Sequence, residues 1–247
     1  LRRDDMRLDF MRPHQIRTAI AANLPVVLPI GGLEYHGEHL PVGVDLIAVT
    51  RVVERLEAEA PERMILLPPF AYGAASHAVS GPQSTGTLHV EASSFLTFAQ
   101  NLFASLLNVG FRNIHGVVHH QTENFGQAMP TDLAFRLAAR QAVFAHQTAM
   151  RGHVAWGKTE GGDTPFGWIA IHPLMPPDVE PHLPFDHAGE GETALMLALA
   201  HELVEPARMA DNTVWFTDSA PRATTLQGVA GVAVILDHLR VLLGLAG

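Results

Sequence analysis

Residues 24–45 read LPVVLPIGGLEYHGEHLPVGVD and place a short apolar run directly before a cluster of acidic and histidine residues. The run LPVVLPI is rich in β-branched residues and is followed by two glycines, which is typical of a buried strand. Five acidic and histidine residues follow it: Glu34, His36, Glu38, His39 and Asp45. Carboxylates and imidazoles are costly to bury unless each is paired or binds a cation. The stretch is therefore either the surface of a solvated loop or part of a metal site at the end of a strand.

The rest of the chain continues this alternation of strands and helices. Helical spacing predicts helices over residues 14–23, 91–108, 131–150, 189–203 and 225–245, and Gly110 is expected to end the second of these. A further helix is predicted to begin with Asp45 as its N-cap. Short apolar runs predict strands over residues 24–30, 63–67, 113–119 and 153–156. Such alternation indicates an α/β fold with a mainly parallel sheet that helices cover on both faces. Residues 157–185, rich in glycine and proline, are expected to be irregular and to form a functional loop, lid or interface.

Composition narrows the class of protein. The chain has 247 residues, 47% of them hydrophobic, and we expect one domain over residues 1–247. The absence of cysteine excludes disulfides, a thiolate nucleophile and cysteine zinc sites. The net charge of −9, with basic residues that do not cluster, argues against a nucleic-acid partner. Since no run approaches the roughly 18 apolar residues of a membrane span and the charged start does not resemble a signal peptide, we expect a cytoplasmic protein without a membrane partner.

Two further clusters of acids and histidines lie at the ends of predicted secondary-structure elements. Residues 117–124 (VVHHQTEN) contain His119, His120, Glu123 and Asn124, and residues 185–193 (FDHAGEGET) contain Asp186, His187, Glu190 and Glu192. Each cluster alone is more often a solvated or hydrogen-bonded surface than a metal site. Together with residues 34–45 they lie at the ends of strands or the starts of helices, where open parallel sheets bind ligands. Imidazole and carboxylate ligands suit Zn²⁺ or Mn²⁺, and a bridging carboxylate can hold two ions roughly 3.5–4 Å apart.

Four motifs in consistent order resemble the creatininase (creatinine amidohydrolase) family. GGLEYHGEHLPVGVD, residues 31–45, is similar to the family's opening signature G-x-x-E-x-H-G-x-H-L-P-x-x-x-D. YGAASHAVSGPQSTGTLHV, GFRNIHGVVHH and DHAGEGETALMLAL resemble its tyrosine–glycine segment, its strand ending in histidine and its His-Ala-Gly-Glu helix. The similarity extends from about residue 28 to residue 199. It implies a three-layer α/β/α sandwich, a homo-oligomer of hexameric form and a two-metal centre for hydrolysis.

The resemblance also implies roles for individual residues. Glu34, His36, Asp45 and His120 match family metal ligands, with Asp45 as the bridge between two ions, and His187 matches a histidine implicated in proton transfer. The family's Asn-Gly before the strand-end histidine is replaced by Val118 and His119. A glutamate ligand usually follows that histidine by two residues, where this chain has Thr122. We expect Glu123 to take its place, with Glu192 as the reserve.

These residues predict a metal-activated water that attacks a small cyclic substrate. The cofactor is expected to be two divalent ions per subunit, Zn²⁺ or Mn²⁺, with Fe²⁺ also compatible with the ligands. His187, with its sequence neighbour Asp186, is assigned the acid/base role. A structural role for His187 beside the site is the alternative. Residues that could contact substrate are Ser76, His77, Trp156 and Trp168, although tryptophans more commonly fill cores or interfaces.

Three functions remain open at this point. The first is hydrolysis of the C–N bond of a cyclic amide, as in creatinine amidohydrolases. The second is hydrolysis of a C–C bond in a cyclic β-diketone such as 3-dehydro-scyllo-inosose, which the HHQTEN variant of the motif keeps open. The third is a metal-binding or regulatory protein without catalysis, against which the presence of all four matching ligands argues.

Overall fold

The computed structural model describes residues 6–76, 79, 84–120, 126–127, 129–151 and 164–246. Its four named strands are β1 (Val26–Ile30), β2 (Ile65–Leu66), β3 (Ile114–Val118) and β4 (Ile169–Pro173). They form one parallel sheet in the order β2-β1-β3-β4. The α-helices of the described residues are α1 (Pro13–Ala21), α2 (Val44–Glu59), α3 (Ala92–Val109), α4 (Pro130–Arg151), α5 (Glu190–Leu199) and α6 (Thr225–Leu242). The predicted α/β class is confirmed.

Helices cover both faces of the sheet. Successive residues of a strand point to opposite faces, so Val26, Leu28 and Ile30 of β1 pack on α1, α3 and α4. Val27 points the other way, into a second core with α2, α5 and α6. All five residues of β1 are buried, which explains why this strand reads as an uninterrupted apolar run. The molecule is thus the three-layer α/β/α sandwich that the sequence predicted.

Most predicted helices agree with the structure to within two residues, α6 ends at Leu242, three residues before its predicted end, and two further details differ. Gly110 ends α3 as predicted, with the positive φ of 120° that glycine tolerates. Asp45 was expected to be the N-cap of α2, and this is wrong, because Gly43 takes that place and Asp45 lies inside the first turn. The helix predicted over residues 189–203 ends at Leu199 and continues as a separate 3-10 turn.

The segment 157–185 is less irregular than predicted. Its residues Ile169–Pro173 form β4, which pairs with β3 from Ile114 to Val118. β4 is an edge strand of the described sheet, where a proline is tolerated. The following proline-rich residues contain the 3-10 turn Pro177–Val179. The strand predicted over residues 153–156 lies outside the described residues.

Helix α6 closes the second core. It is the one helix of the described ranges that is long and apolar enough to span a membrane by length and composition. Its buried residues, Gly228, Gly231, Val232, Ile235, Leu236 and Leu239, include four apolar side chains that pack in the core with α2 and α5. The core helix of a soluble protein passes the same length test, so this finding is weak evidence for a membrane.

Candidate metal centre

Acidic and histidine side chains from four parts of the chain meet where β1 and β3 end. These strands are parallel neighbours, so their carboxyl ends lie side by side. The first turns of α2 and α5 approach the same edge. The side chains gathered there, none more than 6% exposed, are Glu34, His36, Asp45, His119, His120 and Glu192. So much buried charge requires a partner of opposite sign.

Glu34, Asp45 and His120 form the first group of donors. Nδ1 of His120 lies 2.9 Å from Oδ2 of Asp45 and 3.4 Å from Oε1 of Glu34. On the far side of the ring, Nε2 of His120 donates to the carbonyl oxygen of Ala74 at 3.1 Å. Because a carbonyl only accepts, this bond places the proton of the neutral ring on Nε2 and leaves the Nδ1 lone pair facing the carboxylates.

His36, Asp45 and Glu192 form the second group. Nε2 of His36 lies 3.3 Å from Oδ1 of Asp45 and 3.3 Å from Oε2 of Glu192. Its Nδ1 donates to the backbone carbonyl of Glu34 at 2.9 Å, so the lone pair of the neutral ring is on Nε2. Asp45 therefore belongs to both groups and turns one oxygen to each.

Glycine at position 32 allows the side chains of Asp45 and His120 in the first group to approach each other. A Cβ atom on Gly32 would lie 2.9 Å from Oδ2 of Asp45 and 3.0 Å from Nδ1 of His120. Those two atoms approach the backbone so closely that a larger residue would displace them. Gly32 is thus required by packing at the centre itself.

The donor set fits divalent cations. Buried atoms without a hydrogen-bond partner within the described residues include Oε2 of Glu34, Nε2 of His36 and both ring nitrogens of His119. In each group the donor atoms lie within 4.8 Å of one another. Lone pairs that face lone pairs in a buried site are unfavourable, and a cation bound between them removes the conflict.

The charges of the centre shift the pKa values of its members in opposite directions. Burial alone lowers the pKa of His36, but the nearby charges of Glu192 and Asp45 outweigh it and hold the pKa well above its usual value. The same opposition raises the pKa of His120, where Asp45 and Glu34 supply the charge. Burial raises the pKa of Asp45, yet the imidazoles hold it below its usual value. The cluster therefore attracts positive charge, whether protons or metal ions.

His187 lies at the solvent side of the centre. Its ring lies against that of His36, tilted by 33° with the ring centres 4.2 Å apart, and its side chain is 21% exposed. Nε2 of His187 donates to the carbonyl oxygen of Tyr35 at 2.7 Å, and Nδ1 lies 3.6 Å from Oε1 of Glu34. The Tyr35 carbonyl thus leaves Nδ1 as the basic nitrogen of the neutral ring.

Asp186 contacts helix α5. Its carboxylate accepts hydrogen bonds from the backbone N–H groups of Gly191 at 2.8 Å and Glu192 at 3.2 Å. Burial and the charge of Glu192 raise the pKa of Asp186 to about 6. Its position indicates that it orders the turn that carries Glu192.

A cleft of about 490 Å³ opens beside His187. Its lining residues are Phe185, Asp186, His187, Trp215, Phe216, Asp218, Ser219 and Arg222. Trp215 is 77% exposed at this cleft. It could not be predicted from the sequence, because an isolated Val-Trp-Phe run between threonines carries no pattern that points to a site.

The other predicted contact residues have different positions. Trp168 lies before β4, at the opposite end of the strands, where its ring packs 4.6 Å from the guanidinium of Arg112. Ser76 is half-buried, two residues beyond the Ala74 carbonyl that holds His120. The remaining candidates, His77, Glu123 and Trp156, lie outside the described residues. The structure therefore brings together Glu34, His36, Asp45, His120, His187 and Glu192, and separates Trp168 from them.

Glu38 and His39, for which a position on the surface of the loop was the alternative to a metal site, lie in different environments. Glu38 is exposed. His39 is buried, with Nε2 2.9 Å from the hydroxyl of Thr193 and Nδ1 3.1 Å from the amide nitrogen of Asn212. A surface position for His39 is wrong, since its ring ties the loop after β1 to helix α5.

Comparison with known proteins decides the family. The sequence profile described as "Creatininase: Creatinine amidohydrolase" matches residues 9–235. The chain belongs to the creatininase family. Curated relatives of this creatininase-family chain are hydrolases of more than one kind.

The creatinine amidohydrolase of Pseudomonas putida is 27% identical over 209 residues, which are 81% of this chain and 74% of the relative. The mycofactocin precursor peptide peptidase of Mycolicibacterium smegmatis is 26% identical over 216 residues, 84% of this chain and 71% of the relative. The 3-dehydro-scyllo-inosose hydrolase of Thermotoga maritima is 25% identical over 237 residues, 92% of this chain and 65% of the relative.

Solved structures of creatininases share the fold. A manganese creatininase has a TM-score of 0.73 at 21% identity and covers 96% of this chain and 98% of its own. A mutant creatininase of Zn–Zn type has a TM-score of 0.72 at 20% identity, with 96% and 97% covered. At these identities the likeness confirms the architecture of the creatininase-family chain.

Proposed function

We propose that this protein is a hydrolase with a binuclear metal centre. Glu34, Asp45 and His120 would hold one cation, and His36, Asp45 and Glu192 would hold the other. The single observation that supports this best is the orientation of Asp45, whose two oxygens face two different imidazole nitrogens. Zn²⁺ and Mn²⁺ suit these ligands, and Fe²⁺ is tolerated by the same mixture.

Glu192 replaces Glu123 in this proposal. The sequence favoured Glu123, which lies outside the described residues, whereas Glu192 lies 3.3 Å from the Nε2 atom of His36. Its place in the first turn of α5 keeps its carboxylate at the centre.

The chain's own residues supply proton transfer and access. Divalent ions in such a centre lower the pKa of a bound water and polarise a carbonyl group, which is the chemistry that amide hydrolysis needs. His187 offers Nδ1 at the boundary between the buried donors and the cleft. There it can take a proton and return it to a leaving nitrogen. Asp186 orders the start of α5 and so supports Glu192.

We propose a small cyclic amide as the substrate, with hydrolysis of its C–N bond. The likeness to a creatinine amidohydrolase over 81% of the chain supports this choice. A second candidate is the C–C bond of a cyclic β-diketone, because the 3-dehydro-scyllo-inosose hydrolase aligns with 92% of the chain. A non-catalytic metal-binding member is the alternative from another class.

The proposal includes self-association and a cytoplasmic location. Helix α4 exposes Leu133, Leu137 and Phe144, and Phe166 packs beside the last of these with ring centres 5.8 Å apart. Each of the four is about half-exposed, so together they form an apolar face that a second copy can cover. The family resemblance makes a hexamer the expected assembly.

Metal removal and reloading test the function. The purified protein is stripped with a chelator, reloaded with Zn²⁺, Mn²⁺ or Fe²⁺, and assayed for metal content and for turnover of lactams, cyclic β-diketones and peptides. We expect two ions per chain and activity on cyclic amides that disappears on stripping and returns on reloading. His36→Ala and His120→Ala should each lose metal and activity, whereas His89→Ala, an exposed histidine beside Glu91, should not.

The outcomes separate the alternatives. Turnover that survives exhaustive chelation, or normal metal content in both site variants, would contradict the metal mechanism. Activity on β-diketones without activity on lactams would select the C–C hydrolase. Two bound ions without turnover of any substrate in the panel would select the non-catalytic alternative.

A further inference from the structure

His119 is a further imidazole at the candidate metal centre, beside His36, His120 and His187, and it belongs to none of the three candidate donor groups, the third of which is Glu34, His36 and His187. The residue follows β3 directly and is only 2% exposed. Both of its ring nitrogens are buried without a hydrogen-bond partner within the described parts of the chain. Because buried polar side chains are ordinarily hydrogen-bonded, such a ring calls for a specific role.

The ring of His119 faces the outer oxygen of Glu192. Its Nε2 lies 3.4 Å from Oε1 of Glu192. The other oxygen, Oε2, accepts a hydrogen bond from the backbone N–H of Ala188 at 2.7 Å and lies 3.3 Å from Nε2 of His36. The carboxylate of Glu192 is therefore held between two imidazoles, with one oxygen toward each.

The two residues come from different layers of the fold. The backbone N–H of His119 donates to the carbonyl of Ile30 at 3.0 Å, which fixes His119 to the end of β1. Glu192 stands on the first turn of α5. A contact from His119 to Oε1 thus ties the helix-borne carboxylate to the sheet that carries the other donors. Groups that orient a ligand in this way contribute strongly to metal affinity.

We propose that His119 is a positioning residue that orients Glu192 toward the second cation. Nε2–H of His119 donates to Oε1, so that Oε2 stays directed at the space between His36 and Asp45. The inference rests on the proposed binuclear centre. Loss of this donor should weaken binding of the second ion roughly 10- to 100-fold and leave the first ion within a few-fold of its original affinity.

Substitutions at position 119 distinguish the loss of a hydrogen-bond donor to Glu192 from the loss of side-chain volume. His119→Leu keeps apolar bulk without a donor. His119→Gln places an amide nitrogen close to the position of Nε2, and His119→Asn places it near Nδ1, too short to reach Oε1. His89→Ala is the matched control, because His89 also contacts a glutamate, at 3.2 Å, but on the surface.

The measurement is metal affinity, which needs no substrate. Chelator-stripped protein is titrated with Zn²⁺ against a chromophoric competitor, and Co²⁺ absorption spectra report the ligands of each ion. We expect two ions in the unchanged protein, His119→Gln and His89→Ala. In His119→Leu and His119→Asn the second ion should be 10- to 100-fold weaker, with the Co²⁺ spectrum of the first ion unchanged.

Other results would overturn the inference. Unchanged affinity for both ions in His119→Asn or His119→Leu would show that the imidazole does not position Glu192. Loss of the second ion in His119→Gln, with a changed Co²⁺ spectrum, would make His119 a ligand in its own right. The asparagine and glutamine pair decides the matter even if the leucine variant does not fold. An unchanged protein that binds no cation would instead refute the proposed function.

Discussion

At the scale of single residues, the backbone decides which nitrogen each histidine offers. The carbonyls of Glu34, Ala74 and Tyr35 accept from His36, His120 and His187, respectively. The sequence could place Glu34, His36, Asp45 and His120 together, because parallel strands bring their carboxyl ends to one edge. It could not predict the tautomers, since Ala74 is 46 residues from His120 and reaches it only in the folded chain. The preference for Glu123 over Glu192 stays a prediction, because Glu123 lies outside the described residues; the sequence could not show how closely α5 brings Glu192 to that edge.

Glu192→Gln tests the second donor group. Glu192 is 6% exposed at the centre, and an amide that replaces its carboxylate removes a charge and a metal donor. We expect the second ion to weaken by at least the roughly 10- to 100-fold that loss of an outer partner costs, measured by elemental analysis after dialysis against competing chelator.

Glu190→Gln is the control for this change. Glu190 is on the same turn of α5, but its carboxylate pairs with Arg222 at 2.8 Å on the surface. This variant should keep both ions. If Glu192→Gln kept both and Glu123→Gln lost one, the ligand of the second ion would be Glu123.

At the scale of elements, β3 and β4 carry a second pair of histidines with a different chemistry. Nε2 of His115 donates to Oδ1 of Asn113 at 2.7 Å, and Nε2 of His172 donates to Nδ1 of His115 at 3.1 Å. Because Nδ1 of His115 accepts in this arrangement, the ring of His115 must be neutral. Burial lowers the pKa of both rings to about 4, and the charges of His115 and His238 add to the effect at His172.

This pair makes stability depend on pH. The pKa of each ring in the folded protein, about 4, lies below the value of 6.5 expected in the unfolded chain. The unfolded chain therefore binds protons first, and the stability present above pH 6.5 is lost as the pH falls toward 4. We expect a loss of up to about 3 kcal/mol per ring in the free energy of unfolding, measured by urea denaturation.

Replacement of His115 and His172 by glutamine should flatten this pH dependence relative to the unchanged protein. His89→Gln, an exposed histidine outside the pair, should leave it unchanged. An equally steep loss of stability in the double variant would show that other groups, such as those of the metal centre, account for it.

Strand β4 shows where sequence patterns fail. Its five residues, IAIHP, form too short and too mixed a run to predict a strand, and a proline ends it. Pairing with β3 stabilises an extended conformation that the local sequence does not predict. The register of this pairing places His172 opposite Val117, beside His115. The long helices were predictable because their apolar spacing extends over several turns.

At the scale of the whole molecule, the three layers leave the outer side of α4 uncovered. Leu133, Leu137, Phe144 and Phe166 are each between 47% and 54% exposed there. The charge of Arg140 lies 5.7 Å from the ring centre of Phe166, at the same face. A face of this kind on the outside of a sandwich favours association between copies.

Leu137→Glu should therefore lower the mass of the assembly in light scattering coupled to size exclusion. The new charge would be buried against a second copy, which is costly without a partner. Leu226→Glu is the control, because Leu226 is 80% exposed on α6, outside this face. An unchanged mass for Leu137→Glu, or a monomeric unaltered protein, would contradict the assignment.

The sharing of Asp45 has a consequence for how the protein responds to metal supply. The two donor groups have the same inventory, two carboxylates and one imidazole, with Asp45 common to both. In the proposed binuclear centre, the ion that binds second would meet an Asp45 carboxylate whose charge is already partly neutralised, so the two ions would not bind as to two independent, equivalent sites. By reciprocal linkage, each ion would change the affinity of the centre for the other ion by the same factor. The doubly loaded form of the proposed centre would thus accumulate only when the free metal concentration exceeds the weaker of two unequal dissociation constants, and the fold itself would set that threshold.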